Sequence, residues 1–141
     1  MSQTAVKVDR IRCEAVPDLP TASWSNGLRI GNEIVMSGMT GHPATRQSPT
    51  PLSAYDQTMI VLNKLLAIVE AAGGNVNNIY KLVVYVTDIA DKDEVGRARR
   101  DFFKSTYPCS TLVAVNALVF HELKVEIDGW ARLDVDMSTC S

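Results

Sequence analysis

Hydrophobic and polar positions alternate along the chain at two different periods. Over residues 5–11, Val6, Val8 and Ile11 are set off by Lys7, Asp9 and Arg10, which predicts a strand with one wet face. Pro17 and Pro20 break the pattern, so residues 14–26 are expected to be a loop. Residues 27–39 read as two short strands around a Gly31-Asn32 turn, with Leu28 and Ile30 entering it and Ile34, Val35 and Met36 leaving. Residues 41–51 are polar and hold three prolines, which predicts an exposed connection.

The period then lengthens. Leu52, Tyr55, Met59, Leu62, Leu66 and Val69 recur every three or four residues, the mark of an amphipathic helix. Thr50 and Pro51 suit its N-cap and first helical position, and Gly73-Gly74 its left-handed end. Residues 81–88, with Leu82 to Val86 almost continuously apolar, have the β-branched density of a strand buried on both faces. Asp91 and Glu94 resemble a capping box for a second helix reaching about Ser105, and Pro108 closes it. Residues 111–115 and 124–131 predict two more strands, the latter alternating Val125 and Ile127 with Glu126 and Asp128.

The order strand–strand, helix, strand, helix, strand–strand predicts one α+β two-layer domain over residues 1–141, with both helices on one face of a single sheet. The other face must be wet or covered by another subunit. The apolar density of residues 81–88 favours a subunit, and hence a homo-oligomer.

Composition narrows the chemistry. With 141 residues, 46% of them hydrophobic, the chain can bury a substantial core. Fourteen Lys and Arg against sixteen Asp and Glu give a net charge of -2 without any block of like charge, which argues against a nucleic-acid partner. No apolar run approaches the roughly 20 residues that cross a bilayer, and residues 1–12 are polar rather than an apolar secretory segment. A cytoplasmic protein with no membrane partner is expected. Cys13, Cys109 and Cys140 are far apart and read as three reduced thiols. His42 and His121 lack metal-ligand spacing, so neither a metal nor another cofactor is expected. The absence of a G-x-S-x-G elbow leaves Ser37-Gly38 without support as a hydrolase nucleophile. Arg97, Arg99 and Arg100, set among Asp93, Glu94 and Asp101, read as a solvated helix face.

Several strings then fall in a familiar order: Val35-Met36-Ser37-Gly38, residues 65–73 (LLAIVEAAG), Val84-Tyr85-Val86-Thr87-Asp88, Phe102-Phe103 and Val125-Glu126-Ile127-Asp128. Over about residues 20–134 the chain resembles the RidA/YjgF/L-PSP family. The resemblance implies a chorismate-mutase-like α+β fold, a homotrimer, and clefts at the subunit interfaces that take a small-molecule ligand. It implies hydrolytic deamination of a reactive enamine or imine. A non-catalytic ligand-binding or chaperone-like trimer is the alternative, and ribonuclease activity a distant third that the net charge of -2 disfavours.

Carried over position by position, the resemblance makes Glu126 the catalytic carboxylate and Ser37 a substrate-side hydroxyl. Trp24 stands for a tyrosine of the deaminase pattern, Gly96 for an asparagine and Leu112 for a cysteine. Ser110 takes the place of an arginine that grips the substrate carboxylate. One neutral donor would replace charge-assisted hydrogen bonds worth roughly 1.5–3 kcal/mol, so such a substrate is expected to bind about tenfold worse or more. Ser110 and Thr111 are either replacement donors or strand-entry residues. Trp24 either stacks on an unsaturated ligand or covers the core. His121 either brings a titratable group to the cleft mouth or is an exposed loop histidine. Glu126, sharing a strand face with Asp128, either shuttles a proton in a desolvated cleft or is a solvent-facing acid.

Overall fold

A computed structural model describes residues 4–141, so the first three residues of the polar stretch 1–12 lie outside the described residues. Its centre is a six-stranded sheet in the order β1-β2-β3-β6-β4-β5. The strands are β1 (Val8–Arg10), β2 (Gly27–Ile30), β3 (Glu33–Met39), β4 (Ile79–Val86), β5 (Cys109–Ala114) and β6 (Val125–Arg132). Only β4 and β5 run parallel; their crossover carries helix α3 (Lys92–Phe102). Helix α2 (Ala54–Ala71) connects β3 to β4, after the single helical turn α1 (Ala44–Gln47).

The β2–β3 hairpin forms where the Gly31-Asn32 signal predicts it, and Gly31 has the positive φ of 61° that its two-residue turn requires. One sheet face packs on α2 and α3. Ile34 and Met36 of β3, Leu82, Val84 and Val86 of β4, and Val125, Ile127 and Ala131 of β6 are all buried there, against Val61, Leu65 and Ile68 of α2 and Val95 of α3. Their period-two spacing leaves Val83, Tyr85, Glu126, Asp128 and Trp130 on the opposite face, which no element of the same chain covers.

Local details depart from the sequence reading in several places. The first strand shrinks to Val8–Arg10, exposed throughout, and only Ile11 beyond it enters the core. The connection over residues 41–51 is not simply exposed, because it contains α1 and buries Thr45. The N-cap of α2 is Ser53, not Thr50: Ser53 Oγ accepts from Asp56 N at 3.0 Å, while the Thr50 carbonyl accepts from Ser48 Oγ. The buried stripe of α2 runs through Ala54, Gln57, Thr58, Val61, Leu62, Leu65, Ile68 and Val69, so Leu52, Tyr55, Met59 and Leu66 are only half-buried. The Asp91–Glu94 capping box does not form. Asp88 instead caps the short turn Ile89–Asp91 by accepting from Ala90 N at 2.9 Å, and Glu94 Oε1 accepts from Tyr55 N at 3.3 Å. Helix α3 also stops at Phe102 rather than near Ser105, where Phe103 turns extended.

Strand β4 alternates between buried and half-exposed positions instead of being buried on both sides. Val83 and Tyr85 of β4 and, at 42% exposure, Val113 of β5 make the uncovered face partly apolar.

Candidate functional site

The centre of the uncovered face is a pair of carboxylates. Glu126 and Asp128 are two residues apart on β6, so the pleat aims both side chains the same way. Tyr85 lies directly across from Glu126 on β4, and its hydroxyl donates to Asp128 Oδ2 at 2.9 Å. That hydrogen bond, more than burial, raises the Tyr85 pKa. Glu126 has no such donor and is half-buried. Desolvation first, and the charge of Asp128 second, push its carboxyl pKa above the ordinary value. The result is a carboxylate whose proton is retained more readily than usual, next to one held in place by a phenol.

Strand β3 shapes the wall beside this pair. Between Met36, opposite Gly129, and Met39, opposite Ile127, the register shifts by one residue, so Ser37 and Gly38 form a β-bulge. The bulge drives the β3 backbone onto the acids. A β-carbon on Gly38 would stand 2.7 Å from Glu126 Oε1 and 2.9 Å from Asp128 Oδ1, closer than such atoms approach. Ser37 is turned the other way along the chain: its hydroxyl donates to Ser25 O at 2.6 Å and its backbone N–H to Asn26 O at 2.9 Å. These bonds pin the loop that carries Trp24 to the bulge. Trp24 Nε1 donates to Asn26 Oδ1 at 3.3 Å, and the ring is 52% exposed, so it covers no core in this chain. Trp24, Ser37 and Glu126 are thus linked in one chain of contacts through Asn26 and Gly38.

The remaining positions lie apart from this cluster. Thr111 pairs with Val83 on β5 and shares the uncovered face. Ser110 pairs with the buried Leu82 and points to the helix side, where its Oγ accepts from Arg99 Nη1 at 2.6 Å. Ser110 thus has the Arg99 guanidinium beside it, and Arg99 is only partly exposed, unlike Arg97 and Arg100. Arg97 does lie on the surface, 3.8 Å over the Tyr55 ring. His121 projects into solvent, its Nδ1 3.4 Å from Glu122, whose carboxylate is also held by Arg46 at 3.0 Å. Among the described residues no group of three or more His, Cys, Asp or Glu side chains gathers as a metal site, and no helix is long and apolar enough to cross a membrane. Sequence reading missed Gly38, Tyr85 and Arg99. The Ser-Gly dipeptide inside an apolar strand was the one signal for the bulge; nothing local pointed to the other two.

The family model described as Endoribonuclease L-PSP matches residues 15–133. The chain is 35% identical over 112 residues to the 2-iminobutanoate/2-iminopropanoate deaminase of Escherichia coli, which spans 77% of this chain and 85% of that protein. A crystal structure of a protein of unknown function from Pseudomonas aeruginosa superposes with a TM-score of 0.94 at 60% identity, covering 96% of this chain and 99% of that one. The structure of E. coli TdcF with bound serine superposes with a TM-score of 0.71 at 26% identity, covering 92% and 98%. The shared sheet-and-helix architecture and the match across most of its length make this chain a member of the RidA/YjgF family, the family described as Endoribonuclease L-PSP.

Proposed function

We propose that the protein is a hydrolytic deaminase of small enamines or imines, working as a homotrimer at clefts between subunits, with Glu126 as the group that activates water. The observation that carries this reading is the Glu126 carboxylate itself: half-buried, raised in pKa by desolvation and Asp128, and pressed against the Gly38 bulge. A base of this kind takes a proton from water as its oxygen attacks the imine carbon. The protonated Glu126 returns that proton to the nitrogen to give the carbinolamine; the carboxylate then takes the hydroxyl proton and passes it to the nitrogen, so that the C–N bond breaks as the carbonyl forms and ammonia leaves. Asp128, held by Tyr85, keeps the local charge that makes Glu126 the stronger base. An enamine enters the same route once its carbon has been protonated to give the imine.

The deaminase name of the E. coli relative and the serine bound to TdcF support a small amine-bearing or imine-bearing ligand. Trp24 and Thr111 border the cleft in this reading, Ser37 anchors its wall, and Ser110 and His121 complete the substrate-side set. The reading makes the protein a cytoplasmic one, in keeping with three unpaired thiols. It needs no cofactor or metal. A second reading, a non-catalytic ligand-binding trimer, is favoured by one observation: the Ser37 hydroxyl proton is already given to Ser25 O, so Ser37 can accept from a ligand but does not donate to one.

The test generates the imine of 2-oxobutanoate in situ and follows ammonia release. Acceleration over the uncatalysed reaction, lost by about 10²- to 10⁴-fold in Glu126→Gln, supports the deaminase. No acceleration by the wild-type protein, or a loss below about fivefold in the variant, removes Glu126 from the chemistry and leaves the binding reading.

A further inference from the structure

Arg99 sits in the last turn of α3, half-buried, and Nη1 donates to the neutral Ser110 hydroxyl at 2.6 Å. Among the described residues no carboxylate lies within ion-pair distance of it, as is also true of Arg10, Arg29, Arg97 and Arg100; what distinguishes Arg99 is the Ser110 hydroxyl bond beside the side-chain-free Gly96. Burial and the neighbouring Arg100 both lower its pKa, so its charge is poorly compensated by the protein itself. Gly96, one turn earlier, removes the side chain that would screen it. A β-carbon there would stand 3.8 Å from Arg99 Nη2 and 3.6 Å from Arg100 Nη1, so both guanidinium groups converge on the gap. The gap borders a recess of about 270 Å³ bounded by Tyr107 and Ser110 and another of about 660 Å³ bounded by Ile89, Lys92, Asp93 and Leu112, where Lys92 lies 3.6 Å from the Asp93 carboxylate.

We infer that Arg99, over Gly96 and Ser110, is an anion-binding site that takes the carboxylate of a small organic acid. A guanidinium has five N–H donors in a planar fork and Ser110 occupies one, so a face remains for two parallel bonds to a carboxylate. A phosphate dianion fits less well. The site lies at the C-terminal turn of α3, where the negative end of the helix dipole opposes a second charge. Ser110 orients the guanidinium; it does not replace it.

The inference deepens the deaminase reading, because it names what anchors the acid end of the substrate. Ser110 points to the helix side of the sheet and Glu126 to the uncovered side, so one ligand reaches both only across a subunit boundary.

Binding tests it without turnover. Calorimetric titration with 2-oxobutanoate, and with its uncharged amide, is carried out on wild type, Arg99→Gln, Arg99→Lys, Arg97→Gln and Gly96→Leu. The carboxylate is expected to bind and the amide about tenfold more weakly or worse, the ratio that a charge-assisted hydrogen bond of roughly 1.5 kcal/mol sets. Arg99→Gln is expected to weaken the carboxylate by at least about tenfold, Arg99→Lys less, and Arg97→Gln not at all. Gly96→Leu, which keeps Arg99 and strengthens the helix, blocks the gap and keeps the test open if Arg99→Gln fails to fold. Absence of saturable binding to wild type, equal binding of acid and amide, or undiminished binding by Arg99→Gln or Gly96→Leu overturns the site. Arg99-dependent binding without any turnover leaves this site standing and removes the deaminase; turnover unaffected by Arg99→Gln does the opposite.

Discussion

Gly38 and Glu126 are packed so closely that the smallest possible side chain on Gly38 would stand 2.7 Å from the Glu126 carboxylate. The atom it would meet is the end of a flexible side chain, which can swing away more easily than backbone. Gly38→Ala is therefore expected to leave the melting temperature nearly unchanged, within about 0.5 kcal/mol in stability, as a substitution outside the core allows. It should still displace Glu126 by an ångström or so, which lowers turnover of the imine by about 10²-fold. Thermal melts and ammonia release on the same samples check both halves.

The pH profile follows from the raised pKa of Glu126. Only the ionised carboxylate takes a proton from water, so kcat/KM should climb with pH through a value above the ordinary 4.5 of a glutamate. Asp128→Asn removes the like charge while keeping an acceptor for Tyr85, so the acid limb should move to lower pH. Stability has the opposite dependence. A carboxyl whose folded pKa exceeds its unfolded one favours the fold below the unfolded pKa and loses that contribution as pH rises through the folded value. Glu126→Gln should accordingly gain in melting temperature relative to wild type between acid and neutral pH. A constant difference between the two melting curves across that range would show that Glu126 is not desolvated.

Gln57 is buried inside α2 at 1% exposure with all its groups engaged. Its Nε2 donates to the Leu52 and Glu122 carbonyls at 3.1 and 3.2 Å, and its Oε1 accepts from Lys124 N at 2.8 Å. Gln57→Leu keeps the volume and strands these backbone groups, which should destabilise the protein by on the order of 3 kcal/mol. Urea unfolding measures it, and a loss below about 1 kcal/mol would mean that water takes over the bonds.

Val113, on the uncovered face of β5, tests the assembly. Wild-type protein is expected to scatter light with three times the 15.4 kDa mass of the chain. Val113→Asp buries a charge in the proposed interface and should shift that mass towards one chain, with the far-ultraviolet spectrum unchanged. A wild-type monomer across micromolar concentrations rules out the trimer.

What the sequence discloses depends on how far apart the cooperating residues are. The Gly31-Asn32 hairpin and the alternation that puts Glu126 opposite Val125 and Ile127 are properties of neighbours, and both are legible. The stripe of α2 is not, because its buried face includes Gln57 and Thr58, polar residues whose bonds reach residues 52, 122 and 124 or the helix's own Ala54 carbonyl. Asp91 and Glu94 have the spacing of a capping box, yet Glu94 finds the Tyr55 N–H on another helix. Arg99 and Ser110 are eleven residues apart across a turn, and only the parallel register of β4 and β5 turns the serine towards the arginine. Gly38 is meaningful only once β3 is known to lie beside β6.

The place of β6 in the sheet has a consequence for the order of events during synthesis. This strand, made after all the others, lies between β3 and β4, so the β1–β3 and β4–β5 halves have no hydrogen-bonded contact with each other until it arrives. A ribosome that has delivered residues 1–124 holds two sheet fragments, each with a raw inner edge open to any passing strand. The acids at positions 126 and 128 come on that same strand, so the site comes into being only in the step that closes the sheet. A nascent chain stalled before β6 should be sticky and inert, and one released after it should acquire solubility and the carboxylate pair together.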